Sequence, residues 1–467
     1  MYQQVIKKIG LGITLSLAFT SVWANTLNET QLKEINGLKN AALNSTLAYE
    51  IDESLTTEVG ARMIGSKGDK LAIKWAQAKM KSLGFDKVWT EDVTYITWER
   101  GMAEARILAP YPQKMVVLAL GGSVGTGEQG IKALVVHFES LNDLQNAKAG
   151  SLDGKIAFIS KRMTREIDGS GYGPAVGGRG AGAVVAAEKG AIGFILRSIG
   201  SDNNRVGHTG MMRYKEGVKK IPAAALSNPD ADLLVNQFKR GKPVEVYLKL
   251  TSQRKDDVAV TSANVIGEIT GSENPEEFVV LGAHLDSWDV GTGALDDGIG
   301  VSVTMAAASL IAKLPQRPKR SIRVILFAGE EVGLVGANQY MEKNSKNLDK
   351  HVIGVEWDFA NGRIYDMRPG VGPQSLNNIR DLAKLIAPMG VSLNPQNNGR
   401  GSSDIRPLVS AGMPAMNFSA NGLDYFDYHH TENDTLDKVD QEALPQITAV
   451  YAMFAYFAAQ SGVDFRK

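Results

Sequence analysis

What most restricts the architecture open to this chain is a strand–loop–helix alternation that begins near Ser262 and runs to the end. Residues 278–283 read as a strand and 298–312 as a helix. Residues 321–328 read as a strand, followed by a helix through 336–341. The strand 351–358, the helix 374–389, the strand 413–419 and a long final helix over 436–459 complete the series. Such alternation predicts an α/β domain with a mixed, mostly parallel sheet and helices on both faces. In sheets of this kind ligands bind beyond the carboxyl ends of the strands.

Those ends carry the chemistry. Gly282-Ala-His284-Leu-Asp286-Ser-Trp-Asp289 closes one strand. Asp296 and Asp297 follow in a glycine-rich turn, Glu330-Glu331 ends a second strand, Asp358 ends a third, and His429-His430 precedes the last helix. Imidazole nitrogen with carboxylate oxygen, and no thiolate, suits zinc or a similar divalent ion in an open catalytic site. Two such ions about 3.5–4 Å apart can share one carboxylate and one water. Of the adjacent Glu330 and Glu331, one can bind metal while the other takes a proton from water. Taken singly, a Glu pair is commonly a solvated edge and Asp-Asp-Gly a turn; their joint placement at successive strand ends carries the inference.

The first half is organised differently. Helices are expected over 27–49 and 69–83, with Gly84 ending the second. Strands are expected over 87–93, 103–108 and 115–120. Residues 125–258 hold short β-like pieces, glycine-rich stretches and one good helix over 180–189. This segment reads as a β-rich module inserted into a host catalytic domain of residues 25–124 and 259–467, with no chemistry of its own. Lys7 and Lys8 ahead of an apolar run, and Val22-Trp-Ala24 after it, read as a signal peptide over 1–24. The expected location is therefore periplasmic or extracellular, without a stable membrane anchor. The chain has no cysteine, so no disulfide framework supports it. Its 467 residues favour two domains, and a formal net charge of zero argues against a nucleic-acid partner.

Four stretches resemble the co-catalytic zinc exopeptidases, a family of bacterial aminopeptidases and glutamate carboxypeptidases. They are Gly282-Ala-His284-Leu-Asp286-Ser, Ala294-Leu-Asp296-Asp297-Gly-Ile-Gly300, Ala328-Gly-Glu330-Glu331-Val-Gly-Leu-Val-Gly336 and His430-Thr-Glu-Asn-Asp434-Thr. His284-Leu-Asp-Ser-Trp-Asp289 and the doubled His429-His430 look most like the plasma glutamate carboxypeptidase branch, and Arg62-Met-Ile-Gly65-Ser66 resembles the family's N-terminal segment. The resemblance implies two Zn2+ ions, one held by His284 and Asp358, the other by Glu331 and His430, with Asp296 bridging. It implies Glu330 as general base and Asp286 as the residue orienting His284. Asp297 and Asp434 are expected to be structural. It also implies a peptide substrate, a homodimer, and a protease-associated domain for the insert. His429 departs from the family pattern, which places Tyr there to polarise the scissile carbonyl. Either His429 or a nearby tyrosine, Tyr425 or Tyr428, is expected to do that work.

The expected activity is hydrolysis of dipeptides or terminal peptide bonds, of carboxypeptidase or dipeptidase type. An aminopeptidase of the same family is the alternative, and a non-catalytic receptor-like relative is the alternative of another class. Arg400 and Arg406 flank Gly401-Ser402-Ser403-Asp404 and are candidates to grip a substrate carboxylate. Gly121-Gly-Ser123-Val-Gly125 matches a serine-hydrolase elbow, but lacks the helix such an elbow needs. Gly178-Arg-Gly180-Ala-Gly-Ala183 mimics a dinucleotide fingerprint and is expected to be a glycine-rich loop.

Overall fold

The computed structural model describes residues 26–467, so the expected signal segment lies outside the described residues. Strand Asn274–His284 lies inside an eight-stranded mixed sheet. Its neighbours Arg320–Phe327 and His351–Glu356 both run parallel to it. Strand Ala415–Ala420 continues the parallel centre beside His351–Glu356. Antiparallel strands Gln253–Ile269 and Lys87–Glu99 extend the sheet past Arg320–Phe327.

Both faces of this sheet are buried, which is why its central strands are nearly continuous runs of Val, Ile and Leu. Val279, Leu281 and Ala283 pack toward helices Ile299–Ala312 and Leu444–Gln460. Val280, Ile325 and Phe327 pack on the opposite face against Tyr340, Ile405 and Leu408. Helix Ile299–Ala312 is apolar all round because it lies between the sheet and other helices.

Several element boundaries differ from expectation. The N-terminal helix is two helices, Glu29–Leu43 and Leu47–Glu58. The final helix starts at Leu444. Asp440 intervenes, its carboxylate accepting the N–H groups of Glu442 and Ala443, and Pro445 sits in the first turn of the helix.

The larger difference concerns the insert. Strands Ala103–Ala109, Gln113–Met115 and Val117–Ala119, expected in the host domain, belong to a second eight-stranded sheet. They pair with Glu245–Leu250 and Ala223–Leu226. The antiparallel pair Lys87–Glu99 and Gln253–Ile269 ends at Glu99 opposite Gln253. The chain therefore leaves the first sheet after Glu99 and returns at Gln253, not at 125 and 258. Hydrophobic alternation marked these strands but not the sheet to which they belong.

In this second unit the stretch from Gly178 to Ala183 is helical, inside helix Gly173–Glu188. The glycines allow close packing on strand Gly193–Arg197: a Cβ at Gly182 would stand 2.2 Å from the Phe194 ring. Ser123 is buried, its Oγ accepting the Ala223 N–H and donating to the Val124 carbonyl, which leaves no free nucleophile there.

Candidate metal centre

The site lies where the parallel strands of the first sheet end. His284 is the last residue of its strand, and its imidazole is fully buried. Its Nδ1 donates to the Asp286 carbonyl at 2.9 Å. That leaves Nε2 facing Asp296 Oδ1 at 3.1 Å and Asp358 Oδ1 at 3.4 Å. On the other side of Asp296, His430 Nε2 lies 3.3 Å from Asp296 Oδ2 and 3.0 Å from Glu331 Oε2. Asp296 thus stands between two histidines, each with a further carboxylate. Donor atoms of His284, Asp296 and Glu331 lie within 4.8 Å of one another, as do those of Asp296, His429 and His430.

Backbone bonds hold this arrangement. Asp297 accepts the N–H groups of His284 and Gly300, at 3.1 and 3.0 Å, tying a strand end to a helix start. Asp434 accepts those of Leu295 and Asp296, at 2.7 and 3.3 Å. The Asp286 carboxylate lies 3.6 Å from His284 Nδ1 and instead accepts the N–H groups of Gly329 and Glu330. The orienting of His284 expected from that carboxylate is done by the Asp286 backbone. Sequence reasoning gave Arg62 no role. It is fully buried and donates to the carbonyls of Leu285, Thr292 and Gly293, which shapes the loop after His284.

The electrostatics are those of a site built for cations. Asp296, Glu331 and Asp286 are buried and each keeps one carboxylate oxygen without a hydrogen-bond partner. Burial pushes the Glu330 carboxyl well above its ordinary range, and the charge of Asp358 adds to the effect. Burial, then Asp296, pushes Glu331 up to about 7. Burial opposes ionisation of Asp296, but the hydrogen bond with His284 and the close approach of His430 outweigh it and hold that carboxyl well below the usual range. Divalent cations reverse the upward shifts by compensating the carboxylates directly. The unpaired oxygens and the two His–carboxylate sets fit a pair of divalent ions, with hard oxygen and borderline nitrogen donors.

His429 is less well placed as a ligand. Its ring stacks on His430 with 3.5 Å between centroids, its Nε2 is 3.6 Å from Asp296, and it does not reach Glu331. Burial lowers its basicity well below that of an ordinary imidazole, and His430 lowers it further. Tyr425 is buried and lines the cleft, whereas Tyr428 lies outside it with the Lys438 ammonium over its ring.

The cleft has a volume of about 980 Å3 and is walled by both units. Asp296, Glu330, Glu331 and His430 come from the first, Tyr172 and Arg179 from the second. Arg406 lines this cleft too, while Arg400 lies in an adjoining pocket of about 430 Å3. The insert, expected to bring no chemistry, places Arg179 in this wall, its guanidinium Nη1 donating to the Thr209 carbonyl at 3.3 Å and lying 3.4 Å from His430 Nδ1. The only cue for Arg179 was its place in the glycine-rich stretch, which reads as a loop until the helix is seen packed on its strand.

Comparison with known proteins decides the family. Residues 264–455 match the model of peptidase family M28. Carboxypeptidase Q of Mus musculus is 35% identical over 412 residues, covering 88% of this chain and 85% of that protein. The chain belongs to peptidase family M28. It is a metallo-exopeptidase. A crystal structure of a peptidase M28 precursor from Shewanella amazonensis SB2B is 51% identical to this M28 chain. That structure matches with a TM-score of 0.92, over 94% of this chain and 98% of its own. A zinc aminopeptidase of Bacillus subtilis, at 23% identity, shares the fold with a TM-score of 0.63 over 90% of this chain and 97% of its own.

Proposed function

We propose that this M28 peptidase is a secreted di-zinc enzyme that hydrolyses dipeptides, or removes terminal residues from peptides with a free C-terminal carboxylate. One observation carries the choice of terminus. Arg179 is buried at 8% exposure, lines the cleft beside His430, and has no carboxylate within ion-pair distance among the described residues. Its Nη2 donates to the Tyr172 hydroxyl at 2.6 Å and its Nη1 to the Thr209 carbonyl at 3.3 Å, while Nε has no partner. A buried cation without an anion is costly, and a substrate carboxylate in the cleft supplies the missing charge. Arg179 replaces Arg400 in that role, and Arg406 stands further along the same cleft.

In this reading His284 and Asp358 would hold one zinc and Glu331 and His430 the other, with Asp296, which stands between the two histidines, available to both. The names of the relatives support the metal and the reaction type: one is a zinc aminopeptidase and one a carboxypeptidase. Bound zinc supplies Lewis acidity toward the scissile carbonyl and the attacking water. Glu330 takes the proton from that water and delivers it to the leaving amine. The Tyr425 hydroxyl, in the wall of the cleft, donates to the carbonyl oxygen as negative charge develops. Arg179 holds the C-terminal carboxylate and so fixes the last residue relative to Glu330, which lines the same cleft.

The test is a panel of dipeptides with free, amidated and N-blocked termini, assayed with and without chelator. Turnover that needs the free carboxylate, tolerates an N-terminal block and disappears with chelator is expected. Turnover that needs a free amine and ignores amidation sinks the carboxypeptidase reading and leaves an aminopeptidase.

A further inference from the structure

The two histidines beside Asp296 are set by the same device, drawn from different units. His284 Nδ1 donates to the carbonyl of Asp286, two residues on. His430 Nδ1 faces the carbonyl of Thr209 in the second unit, at 3.3 Å, an oxygen that also accepts from Arg179 Nη1 at 3.3 Å. In both cases Nε2 is turned to the carboxylates. Thr209 also donates its own N–H to the His430 carbonyl at 3.0 Å. His430 adopts φ of 62°, a conformation that a non-glycine residue keeps only where its surroundings impose it.

The support behind Thr209 is built as a buried network. His208 Nδ1 donates to the His429 carbonyl at 2.9 Å, and its Nε2 to Asp202 Oδ1 at 2.8 Å. Asp202 further accepts from Asn228 Nδ2 at 3.1 Å and from the Asn204 N–H at 2.8 Å. The Thr209 hydroxyl donates to the Ala119 carbonyl and accepts from Arg100, whose guanidinium also pairs with Asp289 of the first unit. Neither His208 nor Asp202 lines the cleft, and both are buried, so contact with substrate does not explain them.

We propose that Asp202, His208 and Thr209 are positioning residues for His430, so that metal affinity at the Glu331–His430 side of the centre depends on the second unit. The inference rests on the two-zinc reading above. Thr209 holds the Nδ1 proton of His430 and so presents Nε2. The Asp202–His208 pair fixes the 429–430 backbone against which Thr209 is registered. Loss of such outer partners typically weakens metal binding ~10–100-fold.

The experiment is zinc titration against a chromophoric chelator, with total metal content and Tm, on the full mature protein and on His208→Ala, His208→Gln and Asp202→Asn. Two zinc ions are expected in the unsubstituted protein. In His208→Ala one zinc is expected at unchanged affinity and the other ~10–100-fold weaker, with kcat restored by added zinc. His208→Gln, which keeps an amide donor for the His429 carbonyl, is expected to recover much of that affinity. Asp202→Asn leaves the ring in place and serves where His208→Ala does not fold. Equal affinity for both zinc ions in the variants and the parent overturns the inference, as does loss of both ions in step with Tm. An unsubstituted chain that takes up no second zinc sinks the two-metal reading and this inference with it.

Discussion

The carboxylate of Asp286 accepts the backbone N–H groups of Gly329 and Glu330, at 2.8 and 3.1 Å. One acidic side chain on one strand end thereby fixes the turn that carries the proposed base on the next. Asp286→Ala removes both bonds and frees that turn. We expect kcat to fall ~10–100-fold with KM little changed. Asp286→Asn keeps an acceptor oxygen at the same place and should recover most of the rate. Steady-state kinetics on one dipeptide compares the three proteins; an Asn variant as impaired as the Ala variant contradicts this geometry.

Glu330→Gln keeps the volume of the side chain and removes its basicity. The ligand residues are untouched, so metal content should stay at the parental value. Turnover should fall ~10^2–10^4-fold, the range of a lost general base. Metal analysis beside kcat measurement checks both halves, and parental turnover refutes the assignment of Glu330.

Arg179→Met replaces a buried guanidinium with an apolar chain of similar length. Hydrogen bonds to charged groups contribute roughly 1.5–3 kcal/mol, so KM for free-carboxylate peptides should rise ~10–100-fold. Amidated peptides should be affected little. Arg400→Ala, in the neighbouring pocket, should leave KM unchanged.

Metal removal should destabilise the protein in a pH-dependent way. Without cations, burial lifts Glu331 and Asp434 to about 7 in the folded state, above the ordinary carboxyl values near 4 of an unfolded chain. Between those values the folded state binds more protons than the unfolded state, so stability falls as pH rises from about 4 to about 7. Zinc removes the cause by compensating the charge. The Tm difference between zinc-loaded and chelated protein should therefore be larger at pH 7.5 than at pH 5. A difference that shrinks with rising pH contradicts this account.

Residues at strand ends were readable in advance because strand periodicity and short polar motifs are local signals. His284, Asp296, Glu331 and His430 come together because parallel strands bring their carboxyl ends to one edge, which the alternation itself predicts. Arg62, Arg179 and His208 were not readable. The contacts that bring them to the site span 223 to 231 residues for Arg62, 251 for Arg179 and 221 for His208, and no local pattern encodes such pairings. The limits of the second unit were misjudged for a related reason. A strand's alternation tells which face is buried, but membership of one sheet or another depends on where its long-range partner lies.

Helix Gly173–Glu188 carries Arg179 on one turn and Gly182 on the next. The absence of a side chain at 182 sets how deeply the helix lies on Phe194, and so how far the guanidinium stands from His430. That distance acts as a gauge. In the proposed reading it sets where the carboxylate of the last residue, always two bonds beyond the cleaved nitrogen, is held relative to the metal ligands. An Ala at 182 would meet the Phe194 ring, and a helix lifted to relieve that clash would carry Arg179 away from this place without altering any residue proposed to touch substrate.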